Sequence, residues 1–199
     1  MGRSAAFDRN QFIRTAVYLI AKDGPASLGV QNLAHAMGAP TGSFYHRYSS
    51  RGEMLGDVWM TVVEDFQNGF LESLKVEDIA DAARIAALHT VVWVQKNPEM
   101  ARVLLFSRRR DFDYDGWSTV LKARERKARR LLETGLAHFV RRAFGPRASA
   151  ESVFRVRFAV IDGPGAAVRP YLEARKEIPA FVSAIIVETC DTTLRRRKP

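Results

Sequence analysis

Apolar residues recur at intervals of three and four along almost the whole chain, which is the spacing of amphipathic helices. In the stretch FDRNQFIRTAVYLIAKDG, Phe12, Ile13, Ala16, Val17 and Ile20 make one broad stripe, ended by Gly24-Pro25. Val30, Leu33, Ala34 and Met37 then predict a short second helix. Gly29 stands at its N-cap position, where glycine is accepted although it brings no side-chain oxygen, and Gly38 is a common stop signal. MGAPTGSFYHRYSSR follows, predicting a third helix of about two turns. Ser50 with Glu53 three residues on reads as a capping box for a helix from Arg51 to about Leu74. Further helices are expected over Val76–Asn97, from Pro98 to about Ser107, over Trp117–Phe144 and over Ile178–Leu194. Another, over Ala150–Tyr171, should kink near Gly163-Pro164-Gly165 because proline removes a backbone bond. RRRDFDYDG reads as a polar loop, and the tail RRRKP as solvated. No segment alternates as a strand, so the fold class is all-α.

Totals narrow this picture. With 199 residues, 47% of them hydrophobic, the chain suits one large domain or a small one plus a medium one, with a sizeable core. Lysine and arginine outnumber aspartate and glutamate by 31 to 22, which favours a polyanionic partner such as nucleic acid. Cys190 is the sole cysteine, so neither an internal disulfide nor a cysteine-rich metal site is expected. The N-terminus lacks the apolar core of a signal peptide, and Ala6 spoils a myristoylation signal at Gly2. No apolar run is long enough to span a membrane, so the expected compartment is the cytoplasm. There is no nucleophile elbow, phosphate-cradling glycine loop or zinc-type histidine pair. An enzyme is therefore not expected, nor a cofactor or a metal.

Three short helices with a tight turn between the second and third suit a helix-turn-helix unit, whose last helix enters the major groove. The sidedness of Met37–Arg51 agrees. Phe44 and Tyr48 are four apart and can pack inward with Leu33 and Met37, leaving Thr41, Ser43, Tyr45, His46 and Arg47 on or near the outer surface. Gly42 lets a backbone approach DNA closely. Tyr45 and Arg51 are shaped to reach phosphate oxygens, and Arg47 a phosphate or a guanine edge.

Here the sequence resembles the TetR family of bacterial transcriptional regulators, through VQNLAHAMGAPTGSFYHRYSSRGEML. The family's pattern of a small apolar pair, a glycine turn, a further glycine, an aromatic pair, a basic residue, another aromatic and a basic residue before leucine is supplied by Leu33-Ala34, Gly38, Gly42, Phe44-Tyr45, His46-Arg47, Tyr48, Arg51 and Leu55. The resemblance implies a DNA-binding domain over residues 1–51 and an effector-binding and dimerisation domain over residues 52–199. Gln31, Thr41, Gly42, Ser43, Tyr45, His46 and Arg47 should face DNA, and Arg51 should clamp a phosphate. Two positions depart from the pattern: Gly29 stands where most members have Ser or Thr, and Pro40 where most have Ser. Thr41 is expected to take over part of the capping that Pro40 cannot provide.

The implied function is a transcriptional repressor that binds a palindromic operator as a homodimer and is released by a small-molecule effector. Alternatives are an activator of the same fold and a helical DNA-binding protein without an effector pocket. Apolar pockets favour aromatic walls with a few polar handles, which makes Phe66, Phe70, His89, Trp93, Phe106 and Trp117 the candidates, plain core packing being the competing reading for each. The last two helices of TetR-like proteins pair into a four-helix interface, which implies Phe154, Phe158, Ile161, Ile178, Phe181, Ile185 and Thr189 as interface residues. The basic runs Arg108–Arg110 and RERKARRLLE read as solvated faces rather than a second DNA site.

Overall fold

A computed structural model describes Phe7–Arg195; the readings at Gly2 and Ala6 and most of the RRRKP tail lie outside the described residues. Among those residues all regular structure is helical. Helix α1 (Arg9–Asp23) opens with a full capping box: Asp8 Oδ1 accepts from the Gln11 backbone N–H at 2.7 Å, and Gln11 Oε1 accepts from the Asp8 N–H at 2.8 Å. Its stripe, Phe12 to Ala21, is buried as the periodicity requires. Helix α2 (Val30–Met37) starts at Gly29, whose N–H donates to Asn32 Oδ1 at 2.7 Å. Asn32 thus supplies half of a capping box from within the helix. Gly38 closes α2 in the left-handed region, φ +62, where a Cβ would be strained.

Helix α3 (Gly42–Tyr45) is shorter than the two turns expected. The turn begins earlier, because the Ser43 N–H donates to Pro40 O at 2.9 Å. Proline fixes φ near the helical value and so pre-shapes this start. Thr41 does not take the capping role expected of it: its backbone is already helical and its side chain makes no cap bond.

Helix α4 (Arg51–Ser73) is capped by Ser50 Oγ, which accepts from the Glu53 N–H at 3.1 Å. The reciprocal half of that box is absent, because the Glu53 carboxylate accepts from Ser118 N–H and Oγ instead. Helix α5 (Ile79–Lys96) begins three residues later than expected, at an Asp78 cap, and α6 (Pro98–Phe106) begins on its proline. The segment read as a polar loop forms two 3₁₀ turns, Arg109–Phe112 and Tyr114–Gly116, and buries Phe112 against Trp59 at 4.9 Å. Helix α7 (Thr119–Phe144) follows.

The kink expected at Pro164 takes a specific form. Between α8 (Ala150–Arg157) and α9 (Gly163–Glu173) lies a π-helical segment, Phe158–Asp162, in which the Gly163 N–H donates to Phe158 O five residues back. A Cβ on Gly163 would sit 2.9 Å from that oxygen. Pro164 lies in the first turn of α9, where its missing N–H costs least. Helix α10 (Ala180–Leu194) starts after Pro179.

The chain divides into two compact units, Met1–Val63 with Glu99–Arg126, and Glu64–Pro98 with Lys127–Pro199. The expected functional boundary at residues 51 and 52 lies inside the first. In that unit α1 packs on α2 and on the turn before it, and α2 on α3; in the second, α5 packs on α9, α10 and the π segment.

Candidate nucleic-acid interface

The recognition segment is sided as its sequence requires. Phe44 and Tyr48 are buried, while Thr41, Gly42, Tyr45, His46, Arg47 and, on α2, Gln31 are exposed; Ser43 is half-buried. The inner face is an aromatic cluster in which Phe12 meets the edges of Phe44 and Tyr48 at 6.4 and 6.0 Å. Tyr45 lies edge-on to Phe44 at 5.2 Å yet remains 62% exposed, so its ring is oriented while most of the side chain stays accessible. No Cβ built on Gly42 meets another atom within 4 Å, so that backbone is open to an approaching surface.

Beneath the segment lies a charged centre. Asp57 of α4 is 7% exposed; its carboxylate accepts from Arg9 of α1, from Arg124 of α7 at 2.8 Å and from the Tyr48 hydroxyl at 3.1 Å. Burial alone would raise the Asp57 pKa, but hydrogen bonds from Arg9 and Arg124 outweigh it and hold the carboxyl below its ordinary range. Burial and the neighbouring carboxylate push the Tyr48 phenol well above its ordinary value, so it stays a donor.

Arg51 is not disposed as expected. Its guanidinium donates to the carbonyls of Leu28 at 2.5 Å, Pro25 at 2.8 Å and Ala26 at 3.3 Å, all at the turn before α2. It therefore braces the motif from within instead of presenting a fork to phosphate. The reason is local: Pro25 O takes only a long bond, 3.4 Å, from the Leu28 N–H, the turn aims these carbonyls away from α2, and Arg51 starts the helix beside them.

The pocket candidates separate. Phe66, Phe70, His89 and Trp93 come together in the second unit: Phe66 stacks on Phe70 at 5.9 Å and meets His89 and Trp93 at 5.1 Å each. His89 Nε2 lies 2.9 Å from Phe66 O, and Trp93 Nε1–H donates to Asp65 at 2.7 Å. Burial lowers the His89 pKa, more than the carbonyl and Asp65 raise it, so the ring is neutral at pH 7 and donates to that carbonyl. Gly69 is required here, since a Cβ would sit 2.4 Å from the imidazole. Phe106 and Trp117 belong to the first unit instead. There Trp117 is buried and donates to Phe112 O at 2.7 Å, and Arg102 covers the Phe106 ring.

Of the implied pairing residues, Phe154, Phe158, Phe181, Ile185 and Thr189 are exposed and Ile161 is half-buried. Phe154 and Phe158 stack at 6.2 Å on one face of α8 and the π segment. Ile178 is the exception: it is buried within its own unit and is not available to a partner. Among the described residues no three His, Cys, Asp or Glu side chains converge to hold a metal, and no helix is long and apolar enough to cross a membrane.

No family model matches the chain, and no curated protein matches it in sequence. Solved structures do. A TetR-family transcriptional regulator, PfmR from Thermus thermophilus, superposes with a TM-score of 0.69 at 18% identity, covering 98% of this chain and 99% of its own. A transcriptional regulator from a Rhodococcus species gives 0.70 at 17%, covering 94% and 96%. FadR from Bacillus subtilis, solved with stearoyl-CoA, gives 0.69 at 12%, covering 94% and 98%. The chain has the fold of TetR-family transcription regulators. At such identities the likeness is one of architecture, and function must be argued from the site.

Within the TetR fold, two features of this chain escape its periodicity. Asp57 carried a signal, because a carboxylate between Leu55, Gly56 and Val58 on an apolar helix calls for buried cations, although the sequence does not say which of its many arginines answer. The Asn32 contact to Gly29 carried another: the third residue of a helix whose cap lacks a side chain is where compensation is geometrically available.

Proposed function

We propose that this chain is a sequence-specific DNA-binding transcriptional regulator acting in the cytoplasm. Residues 1–51 read a palindromic operator, and residues 52–199 pair two subunits and bind a small-molecule effector that releases the repressor from DNA. The observation that carries this reading is the sided recognition segment. Its anchors Phe44 and Tyr48 are buried, while Thr41, Gly42, Tyr45, His46 and Arg47 face outward after a glycine turn. Placed in a major groove, the start of the segment meets base edges, the Gly42 backbone approaches the duplex, and Tyr45 and Arg47 donate to phosphate or to a guanine edge. Gln31 adds a donor from α2. The exposed rings of Phe154, Phe158 and Phe181, with Ile185, supply an apolar face for a second subunit, which would set two recognition segments about one duplex turn apart.

The cluster of Phe66, Phe70, His89 and Trp93 supports an effector with an apolar body and one polar group. Bacillus subtilis FadR, solved with stearoyl-CoA, is a precedent for a ligand with a long apolar chain in this fold, although its CoA part is far more polar. The effector acts only as far as it favours one separation of the recognition segments over another. Selection of duplexes from a genomic library followed by gel shift tests the DNA reading. Tyr45→Phe and Arg47→Ala should each weaken operator binding with fold and dimer intact; unchanged affinity in both would refute the recognition-segment assignment. A regulator without an effector is the second reading, favoured by one observation: the four rings already fill the space between them. A ligand library that never raises the unfolding temperature would select it.

A further inference from the structure

We propose that Asp57 is a joint through which α7 sets the position of the recognition segment, with Tyr48 and Arg124 as positioning residues acting on DNA binding through it. The proposal rests on the DNA-binding reading above. Helix α3 spans four residues, too few to hold a direction by its own hydrogen bonds. The rings of Phe12, Phe44 and Tyr48 give it adhesion, but aromatic packing tolerates small rolls and slides. The directional tie is the Tyr48 hydroxyl, which donates to Asp57 Oδ2 at 3.1 Å at the C-terminal end of the segment.

That carboxylate is shared among four elements. Oδ2 also accepts from Arg9 Nε at 2.7 Å, and Oδ1 accepts from a second nitrogen of Arg9 and from Arg124 Nη1 at 2.8 Å. Arg9 is tied further by Thr61, whose Oγ1 accepts from the guanidinium at 3.0 Å and donates to the Asp57 carbonyl at 2.7 Å. Arg9 is thereby fixed to α4, whereas Arg124 reaches the carboxylate from α7. A buried carboxylate follows its cations, because charge left without compensation in a poorly solvated site is costly. When α7 shifts, the balance at Oδ1 changes, the carboxylate reorients toward Arg9, and the bond from Tyr48 is strained or released. The recognition segment then loses its directional tie while keeping its rings packed.

The test uses the full chain and the operator recovered by selection. Dissociation constants are measured on that operator and on a random duplex, over a range of salt, for the wild type, Tyr48→Phe, Arg124→Gln and the double variant. Each single change should weaken operator binding roughly tenfold, the size expected for one hydrogen bond to a charged group. Random-duplex binding and its salt slope should hold, because neither residue is offered to phosphate. The double variant should lose no more than the worse single, since both act through Asp57. Arg124→Lys, which keeps the charge, should recover much of the loss and stands in if the Gln variant fails to fold. Losses that multiply in the double variant, or equal losses on random duplex, overturn the joint. A wild type that selects no duplex overturns the DNA-binding reading itself, a result distinct from either.

Discussion

In the first unit a buried carboxylate gathers cations and a phenol from three other segments; in the second, α5 buries Ala82, Ala83, Ala86 and Ala87, so that α9, α10 and the π segment close onto a flat face. Ion pairs of the second unit, such as Arg84 with Asp191 and Arg155 with Glu151, sit where water screens them. The difference follows from helix length. Helices of fifteen residues or more, such as α5 and α10, carry an apolar stripe wide enough to fix their own orientation. A four-residue recognition segment cannot, so its direction comes from hydrogen bonds anchored elsewhere. Some of the arginines are likewise tied to the protein itself, here through backbone carbonyls. Arg51 ties carbonyls before α2, and Arg142 ties those of Leu74, Val76 and Glu77 after α4. These guanidiniums keep their charge but have donors already committed, so the net charge of +9 does not count side chains offered to DNA.

The largest expected effect breaks or upholds this contrast directly. Asp57→Ala removes the buried carboxylate from Arg9, Arg124 and Tyr48, and, the two guanidiniums being partly hydrated, should lower the unfolding free energy by about 2–3 kcal/mol in urea titrations. Asp191→Ala should cost far less, because solvent already screens its pair with Arg84. Equal losses would mean that charge organises both units alike.

Glycines supply the next comparison. Gly163→Ala should destabilise by about 1–3 kcal/mol, because its Cβ meets the Phe158 carbonyl at 2.9 Å and backbone cannot yield as a side-chain end can. Gly42→Ala should leave stability within about 0.5 kcal/mol, there being nothing near its Cβ, and should instead show in operator binding. If Gly163→Ala proved neutral, the π segment would be dispensable to the second unit. Smaller again in the protomer is the loss of exposed rings: Phe154→Ser with Phe181→Ser should shift sedimentation toward monomer while barely moving the unfolding of the single chain.

The elements were legible wherever stripe length and caps agreed. The stripe of α1, the Gly38 stop, the Ser50 cap and the start of α6 at Pro98 all stand as read. The misreadings share a cause, in that partners distant in sequence compete for a group whose local role seemed clear. Glu53 leaves its capping box for Ser118, Arg51 turns to carbonyls at residues 25–28, and Ile178 is taken into its own unit. Phe112 in a polar run shows the reverse, a single ring drawing a charged loop inward. The sidedness of Phe44, Tyr45 and Tyr48 was readable because it depends only on spacing within one turn.

The smallest effect separates the units by pH. Burial of His89 beside Phe66 holds its pKa below the ordinary value of about 6.5, so the unfolded chain takes up that proton more readily than the folded one. Stability from this group is therefore level above about pH 6.5 and falls as the pH drops through that value. Asp57 behaves differently. Its depressed pKa gives stability that is complete at neutral pH and lost only as the pH falls from about 4, where unfolded aspartates protonate, through its lower folded value. Between about pH 7.5 and about pH 5.5 the buried imidazole of the second unit should thus respond while the Asp57 centre does not. Urea midpoints at those two pH values should fall for the wild type and fall less for His89→Gln. His35, His46 and His138 are common to both proteins and cancel in the comparison. An identical fall in the two proteins would mean that the imidazole is already hydrated, and that the aromatic cluster around it opens to water as an effector site would need.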